Sequence, residues 1–413
     1  MPRTDFRRWR RALVALVAAG AFAYQATGTA AAAVAAAGQY QGPSYAGSAS
    51  SPTGSKPESK LWFNDGFWWS AMNVDDPGSE VGPRIFRLDS ASQRWTDTGV
   101  QIDARANVRS DVLWDGSKLY VATHVFSETP QSGTPSNLYR FSYNASNDTY
   151  TRDAGFPVAI NNWRTETLVL AKDSTGQLWA TWTQQSQVFV NRSLASTAQW
   201  GTPFALPGGT GIDPDDISSV VSFGGNRIGI MWSDQVDDQM KFAVHQDSTA
   251  SDTSWSSPEV AVSGTNLADD HINLKADASG RVYAATKTSQ SSGSNPLILL
   301  LVRNTSGAWS RVVFGTVTDN QTRPIVVLHE ARRRLYMFAT WDQSGDVIYM
   351  KETSMDSPSF AAGRGTPVID AADVNNATAS KQSITDASGL LVQASADATD
   401  LHWHYWKPFG ESK

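Results

Sequence analysis

The fold is indicated most clearly by residues 269–287, which read DDHINLKADASGRVYAATK. Acidic residues and a histidine come first, and then apolar and polar residues alternate as they do in a half-buried strand. A D-x-x-G turn and a second β-branched and aromatic strand follow, so the stretch predicts a β-hairpin. Residues 166–183, ETLVLAKDSTGQLWATWT, repeat the pattern, and residues 386–392, DASGLLV, repeat it more loosely.

This hairpin recurs at a regular spacing along the chain. The first apolar residues of the predicted second strands lie 50 to 59 residues apart, at Phe67, Leu119, Leu178, Ile228, Val282, Leu335 and Leu390. A period near 50 residues built from short strands is typical of propeller blades. We therefore predict an all-β, seven-bladed β-propeller with four-stranded antiparallel blades. A pair of β-sandwiches is the alternative, but it does not require so even a spacing.

The last repeat is too short to make a full blade. Only seven residues follow the strand that ends at Trp406, so the seventh blade has three strands of its own. An unpaired sheet edge promotes aggregation, and a strand from the other end of the chain can cover it. We therefore expect part of the stretch from Gln39 to Ser55 to close the ring.

The amino-terminal region differs in composition from the rest. Arginines, an apolar run and small residues follow one another in residues 1–37, which is the order of a secretory signal peptide. Residues 38–59 are then a linker with the ring-closing strand, and residues 60–413 form the propeller. We expect a secreted, extracellular monomer that has no membrane attachment after signal cleavage.

Overall composition limits the possible partners. The 413 residues carry a net charge of −6 and contain no basic tract, which argues against nucleic-acid binding because that requires clustered Lys and Arg. There are 16 Trp and no Cys, so the fold depends on its apolar core and has no disulfides.

Propeller geometry predicts where the charged residues meet. The starts of the inner strands and the ends of the second strands converge at one mouth of the central channel. The candidate catalytic residues there are His271, His124, Asp270, Glu166 and Asp216. The candidate substrate-binding residues are Arg109, Asp111, Arg164, Arg323, Lys287, Asp234, Trp341 and Asp342. Such charges also form ion pairs that merely fill a channel, and both interpretations remain open.

The sequence contains few of the residue patterns that are typical of metal and cofactor sites. The sequence has no zinc-ligand spacing and no nucleotide-binding loop, so no cofactor is expected. Calcium is possible if the channel holds an ion, with Asp215, Asp216, Asp269 and Asp270 as oxygen ligands. His402 and His404 are expected to face solvent on an outer strand. Residues 127–136 and 290–296 are expected to form loops over the charged face.

The hairpins at Asp173 and Asp277 resemble the BNR and sialidase-like propeller superfamily. The segment Asp270-His271-Ile272-Asn273 is similar to the D-H-N segment of its ulvan lyase and α-rhamnosidase branch, with Ile272 inserted. The chain lacks the F/Y-R-I-P motif of sialidases.

The resemblance implies an exported protein that handles extracellular polysaccharide. In a lyase, His271 or His124 would be the base, and Arg109, Arg164 or Arg323 would neutralise the uronate carboxylate. In a glycoside hydrolase, two of Glu166, Asp216 and Asp270 would be the acid and the base or nucleophile. A non-catalytic lectin or adaptor that binds carbohydrate or protein is the alternative.

Overall fold

The computed structural model describes residues 35–48, 50–74, 81–342 and 346–410. These residues belong to one compact unit that spans residues 34–413. Nearly all of the predicted signal peptide, residues 1–34, lies outside the described residues, so that prediction is not tested. Among the described residues, no helix is long and apolar enough to cross a membrane.

The regular structure is almost entirely β. The strands are β1 (Gly38–Ser44), β2 (Leu61–Asn64), β3 (Phe67–Met72), β4 (Arg84–Asp89), β5 (Arg94–Gln101), β6 (Val108–Trp114), β7 (Lys118–Val125), β8 (Gln131–Asn144), β9 (Thr149–Arg152), β10 (Val158–Arg164), β11 (Val169–Lys172), β12 (Leu178–Gln184), β13 (Gln187–Arg192), β14 (Phe204–Thr210), β15 (Ser218–Phe223), β16 (Arg227–Asp234), β17 (Gln239–Gln246), β18 (Glu259–Ser263), β19 (Ile272–Ala276), β20 (Val282–Lys287), β21 (Pro296–Arg303), β22 (Trp309–Thr316), β23 (Gln321–His329), β24 (Arg334–Trp341), β25 (Val347–Ser354), β26 (Thr366–Asp370), β27 (Val374–Thr378), β28 (Leu390–Ala396) and β29 (Leu401–Lys407). A 3₁₀ turn, Val317–Asp319, precedes β23.

The strands form seven antiparallel sheets, which confirms the seven-bladed propeller. Blade 1 contains β2 to β5, and blades 3 to 6 each contain the next four consecutive strands from β11 to β26. Blade 2 has the order β10-β8-β7-β6, and β9 adds a fifth strand beside β8. Each predicted start of a second strand lies within one residue of the observed start, from Phe67 in blade 1 to Leu390 in blade 7.

The D-x-x-G turns explain why the hairpin signal is so regular. Asp173 Oδ1 accepts hydrogen bonds from the backbone N–H groups of Thr175 and Gln177, both at 2.9 Å. Gly176 follows with φ of 89°, a conformation that glycine adopts without strain. Because the aspartate caps its own turn, the turn is specified locally and can be read from sequence.

Blade 7 is closed by the amino-terminal strand, as predicted. Its order is β1-β29-β28-β27, and Tyr40 of β1 lies opposite His404 of β29. Tyr45 extends this contact, because its hydroxyl donates to Asp397 Oδ1 at 2.5 Å. The outer edge of β29 is therefore covered by the other end of the chain.

The prediction that His402 and His404 face solvent is wrong. Both side chains are buried, because β29 is covered by β1 on its edge and by blade 1 on its face. His404 Nδ1 accepts a hydrogen bond from Trp95 Nε1 at 3.2 Å, and Nε2 donates to Gln93 Oε1 at 2.9 Å. The predicted loop at residues 127–136 is also partly wrong, since β8 begins at Gln131 and pairs with β10.

These buried histidines make stability depend on pH. Burial lowers the pKa of His402 to about 4 and that of His404 to about 3. Below about pH 6.5 the unfolded chain therefore binds protons that the folded protein does not. We expect the free energy of unfolding to fall on acidification from about pH 6.5 to 4, by about 1.4 kcal/mol per pH unit for each histidine.

Urea unfolding at a series of pH values measures this slope. The double variant His402→Gln and His404→Gln should show a shallower slope over the same range, whatever its stability at pH 7. An unchanged slope in the double variant would show that other groups carry the pH dependence.

Candidate site at the channel mouth

Residues 50–60, here called the mouth segment, lie across the channel at the end where the inner strands begin. Ser51 donates its backbone N–H and its hydroxyl to Asp397 of blade 7, at 2.8 and 2.5 Å. The Lys56 ammonium donates a hydrogen bond to Glu166 at the start of blade 3, and the Ser59 backbone N–H donates to Asp111 of blade 2 at 2.8 Å. The segment predicted as a linker therefore bridges several blades and covers part of the channel.

Glu58 anchors the mouth segment in a buried ion network. Its carboxylate lies 2.7 Å from Lys60 Nζ and 2.7 Å from His124 Nε2, and it accepts the Leu168 N–H at 3.0 Å. His124 has no exposed surface, and its Nδ1 lies 2.8 Å from Thr165 O. Since His124 lies beneath the mouth segment, it holds that segment in place and has no route to an external substrate.

Asp111 is a second buried anchor. It accepts the N–H of Ser59 at 2.8 Å and that of Leu170 at 2.7 Å, and Lys381 Nζ lies 2.9 Å from its Oδ2. Burial raises the pKa of this carboxyl, while Lys381 opposes the rise. The alternative interpretation that charged residues fill the channel therefore describes His124 and Asp111 well.

Three carboxylates from successive blades meet beside the mouth segment. Oxygen atoms of Glu166, Asp215 and Asp270 all lie within 4.8 Å of one another. Lys56 Nζ pairs with Glu166 at 2.9 Å and also with Asp270. The sequence pattern placed Asp216 in this ring, but Asp215 takes that position. Asp216 instead is buried and accepts the backbone N–H groups of Asp213 and Gln235 at 2.8 and 3.1 Å.

Lys56 supplies the positive charge that a cation would otherwise supply to these carboxylates. In Lys56→Ala, three acidic groups would face one another without a counter-ion, an arrangement that favours Ca²⁺. We expect millimolar Ca²⁺ to raise the melting temperature of Lys56→Ala and to leave the wild type and Lys56→Arg unchanged. Thermal unfolding with CaCl₂, and with MgCl₂ as a comparison, measures this. If Lys56→Ala is equally indifferent to Ca²⁺, the cluster does not hold a cation.

His271 lies next to this cluster and is oriented by two aspartates. Its Nδ1 is 2.5 Å from Asp269 Oδ1 and 2.7 Å from Asp270 Oδ1, and Lys287 Nζ holds Asp269 Oδ2 at 2.7 Å. Burial lowers the pKa of His271 to about 3, although Asp269 opposes this. The ring is therefore neutral at pH 7, with the proton on Nδ1 and the lone pair on Nε2. Nε2 lies 3.3 Å from the Thr322 hydroxyl.

Two arginines approach the same mouth without full hydrogen bonding. Arg323 follows Thr322 in a β-bulge with φ of 50°, and no described residue accepts a hydrogen bond from its buried Nε. Arg109 Nε is also buried without a partner among the described residues, and its guanidinium lies over the Phe126 ring at 4.1 Å. Burial lowers the pKa of Arg109, and the charge of Arg323 lowers it further. Each unpaired Nε is a donor that an anion at the mouth could satisfy.

The other predicted binding residues are more scattered. Arg164 is exposed at the end of β10, the outer strand of blade 2, and donates to Thr134 Oγ1 at 3.0 Å. Asp234 pairs with Lys241 at 2.7 Å within its own blade. The guanidinium of Arg364 lies 4.4 Å from the centre of the Trp341 ring. Asp342 and Lys287 line a pocket of about 500 Å³ together with Asp269, Gln290, Asn320 and Thr322.

Sequence reasoning missed the roles of Lys56 and Glu58. The stretch from Ser55 to Lys60, S-K-P-E-S-K, carries three charges inside a Gly, Ser and Pro-rich region. That local concentration of charge was the available signal. It did not show that the segment folds back over the channel.

Comparisons with known proteins establish the fold and nothing finer. No protein-family model matches the chain, and no curated protein matches it. A periplasmic gluconolactonase of Pseudomonas aeruginosa is 13% identical with a TM-score of 0.50, covering 81% of this chain and 90% of its own. An α-L-arabinofuranosidase of Fusarium graminearum is 8% identical with a TM-score of 0.47, covering 78% of this chain and 99% of its own.

A six-bladed lectin of Aleuria aurantia is 12% identical with a TM-score of 0.40, covering 62% of this chain and 77% of its own. At these identities the comparisons bear on the fold alone. The finer resemblance to the BNR and sialidase-like superfamily has no family match behind it.

Proposed function

We propose that this is a secreted propeller that acts on acidic extracellular polysaccharide at the channel mouth, as a polysaccharide lyase. The observation that supports this best is the buried His271, whose Nε2 lies 3.3 Å from the Thr322 hydroxyl, together with the adjacent Arg323, whose Nε has no hydrogen-bond partner among the described residues. A lyase requires this combination of an unprotonated base and a cation for the uronate carboxylate.

The proposed chemistry follows from these positions. A uronate carboxylate pairs with Arg323, and Arg109 adds positive charge behind it. His271 Nε2 removes the proton next to the carboxylate, and the negative charge that develops on the carboxylate oxygens is stabilised by the guanidinium. The glycosidic C–O bond at the adjacent carbon then breaks, and the leaving oxygen takes up a proton from the His271 imidazolium or from water, which gives an unsaturated uronate and a new chain end. Asp269 stabilises the imidazolium that forms.

The hydrolase alternative fits this arrangement less well. Lys56 bridges Glu166 and Asp270, so a substrate would have to displace this ion pair before either carboxylate could act on it. The third candidate acid, Asp216, accepts backbone hydrogen bonds away from the cluster. Glu166 and Asp270 remain the pair to test if hydrolysis is found.

A non-catalytic carbohydrate-binding propeller is the second candidate, and the mouth segment favours it. Lys56 and Ser59 of this segment already pair with Glu166, Asp270 and Asp111 at the channel entrance. A ligand in the pocket lined by Asp269, Lys287 and Asp342 would be bound without displacing these pairs.

The purified protein should be incubated with polygalacturonate and alginate as acidic polymers and with xylan as a neutral one. Ultraviolet absorbance follows unsaturated uronate, and a reducing-sugar assay follows all new chain ends. Absorbance and chain ends rising together with an acidic polymer supports the lyase. Chain ends without absorbance supports a hydrolase. Retention on a glycan array without turnover of any polymer leaves the binding protein.

A further inference from the structure

The opposite end of the channel contains a second pocket that the proposed function does not use. It has a volume of about 400 Å³ and is formed where the inner strands of blades 2 to 5 end. Its walls are largely apolar, with Leu113, Leu170, Val220 and Leu274 among the lining residues. Drug-sized ligands typically occupy apolar pockets of about 300–1,000 Å³ with a few polar groups.

Residues 379–385, here called the channel segment, contribute Lys381 and Gln382 to the lining of this pocket. Gln382 exchanges hydrogen bonds with the backbone of Phe63 at 2.9 and 3.1 Å, and Ile384 N–H donates to Leu328 O at 2.8 Å. Lys381 crosses the channel to Asp111 at 2.9 Å. This side of the pocket is therefore held by hydrogen bonds to the inner strands of blades 1 and 6.

Lys275 is the unusual group in this pocket. Its side chain is only 5% exposed and lines the pocket, and its ammonium donates to Ser380 O. No carboxylate of the described residues pairs with it. The other two lysines that line the pocket have partners, since Lys172 pairs with Asp115 and Lys381 with Asp111. A buried ammonium without a counter-ion is costly, which an anionic ligand would relieve.

We propose that this pocket binds a small organic carboxylate, with its carboxylate on Lys275 and its apolar body against Leu113, Val221 and Leu274. The combination of one uncompensated ammonium with apolar walls selects this class. A neutral sugar would leave the ammonium unpaired, and an inorganic anion would leave the apolar walls in contact with water.

Proton uptake should accompany binding. Burial, and then the nearby charge of Lys381, lower the pKa of Lys275 to about 7, while Asp111 opposes this. Lys172, Asp115 and Asp173 are the other charged groups that line the pocket. Since a bound carboxylate favours the ammonium form, affinity should fall up to tenfold per pH unit as the pH rises above 7.

Fluorine NMR of the full-length protein with 4-fluorobenzoate tests the proposal. We expect 4-fluorobenzoate to bind at least tenfold more tightly than its neutral isostere 4-fluorobenzamide, and Lys275→Met to lose this preference. Lys351→Met is the matched control. Lys351 is also buried and donates only to backbone carbonyls, those of Phe314 and Ala361, but it lies between blades 5 and 6.

Retention of tight binding by Lys351→Met together with its loss in Lys275→Met would support the assignment. No binding of 4-fluorobenzoate to the wild type at millimolar concentration, or equal binding of the amide, would overturn it without relying on any variant. Unchanged binding in Lys275→Met would overturn it as well.

Discussion

Glu58→Ala is expected to lower the free energy of unfolding by about 3–5 kcal/mol, the usual loss when one partner of a buried ion pair is removed. The substitution leaves Lys60 buried with its charge uncompensated and leaves the Leu168 N–H without its acceptor. Urea unfolding at pH 7 measures the change. Glu128→Ala removes the same group at an exposed position and should change stability by less than about 0.5 kcal/mol.

The Glu58 carboxylate also predicts that the protein loses stability in acid. Burial raises the pKa of Glu58, but Lys60 and His124 outweigh burial, and the pKa is lowered overall. A lowered pKa means that the stabilisation is present above the unfolded-state pKa of about 4.3 and is lost as pH falls through the lower folded-state value. Equal losses in Glu58→Ala and Glu128→Ala would show that the mouth segment contributes little to the fold.

His271→Gln is expected to reduce turnover of the acidic polymer at least 100-fold, which is the low end of the range for general-base catalysis. Glutamine keeps a hydrogen-bonding side chain near Asp269 but offers no basic nitrogen. His245→Gln is the matched control, because His245 is also buried and lies 2.9 Å from Ser254 O, in blade 4. It should keep wild-type turnover.

The pH profile distinguishes a base from a merely structural histidine. With a pKa of about 3, His271 is already unprotonated at pH 5, so kcat/KM should have no acid limb at the ordinary histidine pKa of about 6.5. Arg323→Gln should raise KM and lower kcat/KM for the acidic polymer, because it removes the cation that pairs with the uronate carboxylate. Full activity of His271→Gln would remove His271 from the mechanism and direct attention to Glu166 and Asp270.

The blades could be predicted because their signals are local. Alternation of apolar residues and the Asp173 and Asp277 turns involve residues within one hairpin, and their recurrence gave the number of blades. The missing strand of blade 7 followed from counting strands. The convergence of Glu166 and Asp270 followed from the propeller geometry itself, since inner strands begin at the same end of the channel.

Finer features of the site depended on residues far apart in the chain. Asp216 accepts a hydrogen bond from the backbone N–H of Gln235, and Asp215 is the aspartate that faces Glu166. Arg164 is the last residue of β10, the outer strand of blade 2, where it lies opposite Gln131 of β8. An alignment of the repeats does not reveal this pairing.

The sequence by itself determined the seven blades, the turn residues and the end of the channel at which charge collects, because each depends on periodicity or on neighbours in one hairpin. Only the tertiary structure decided which of those charges remain open to a ligand. Glu58 meets His124 across 66 residues, and Lys56 meets Asp270 across 214. Such pairs depend on how the mouth segment lies over the blades, and the burial that results determines which carboxylates, histidines and arginines remain accessible.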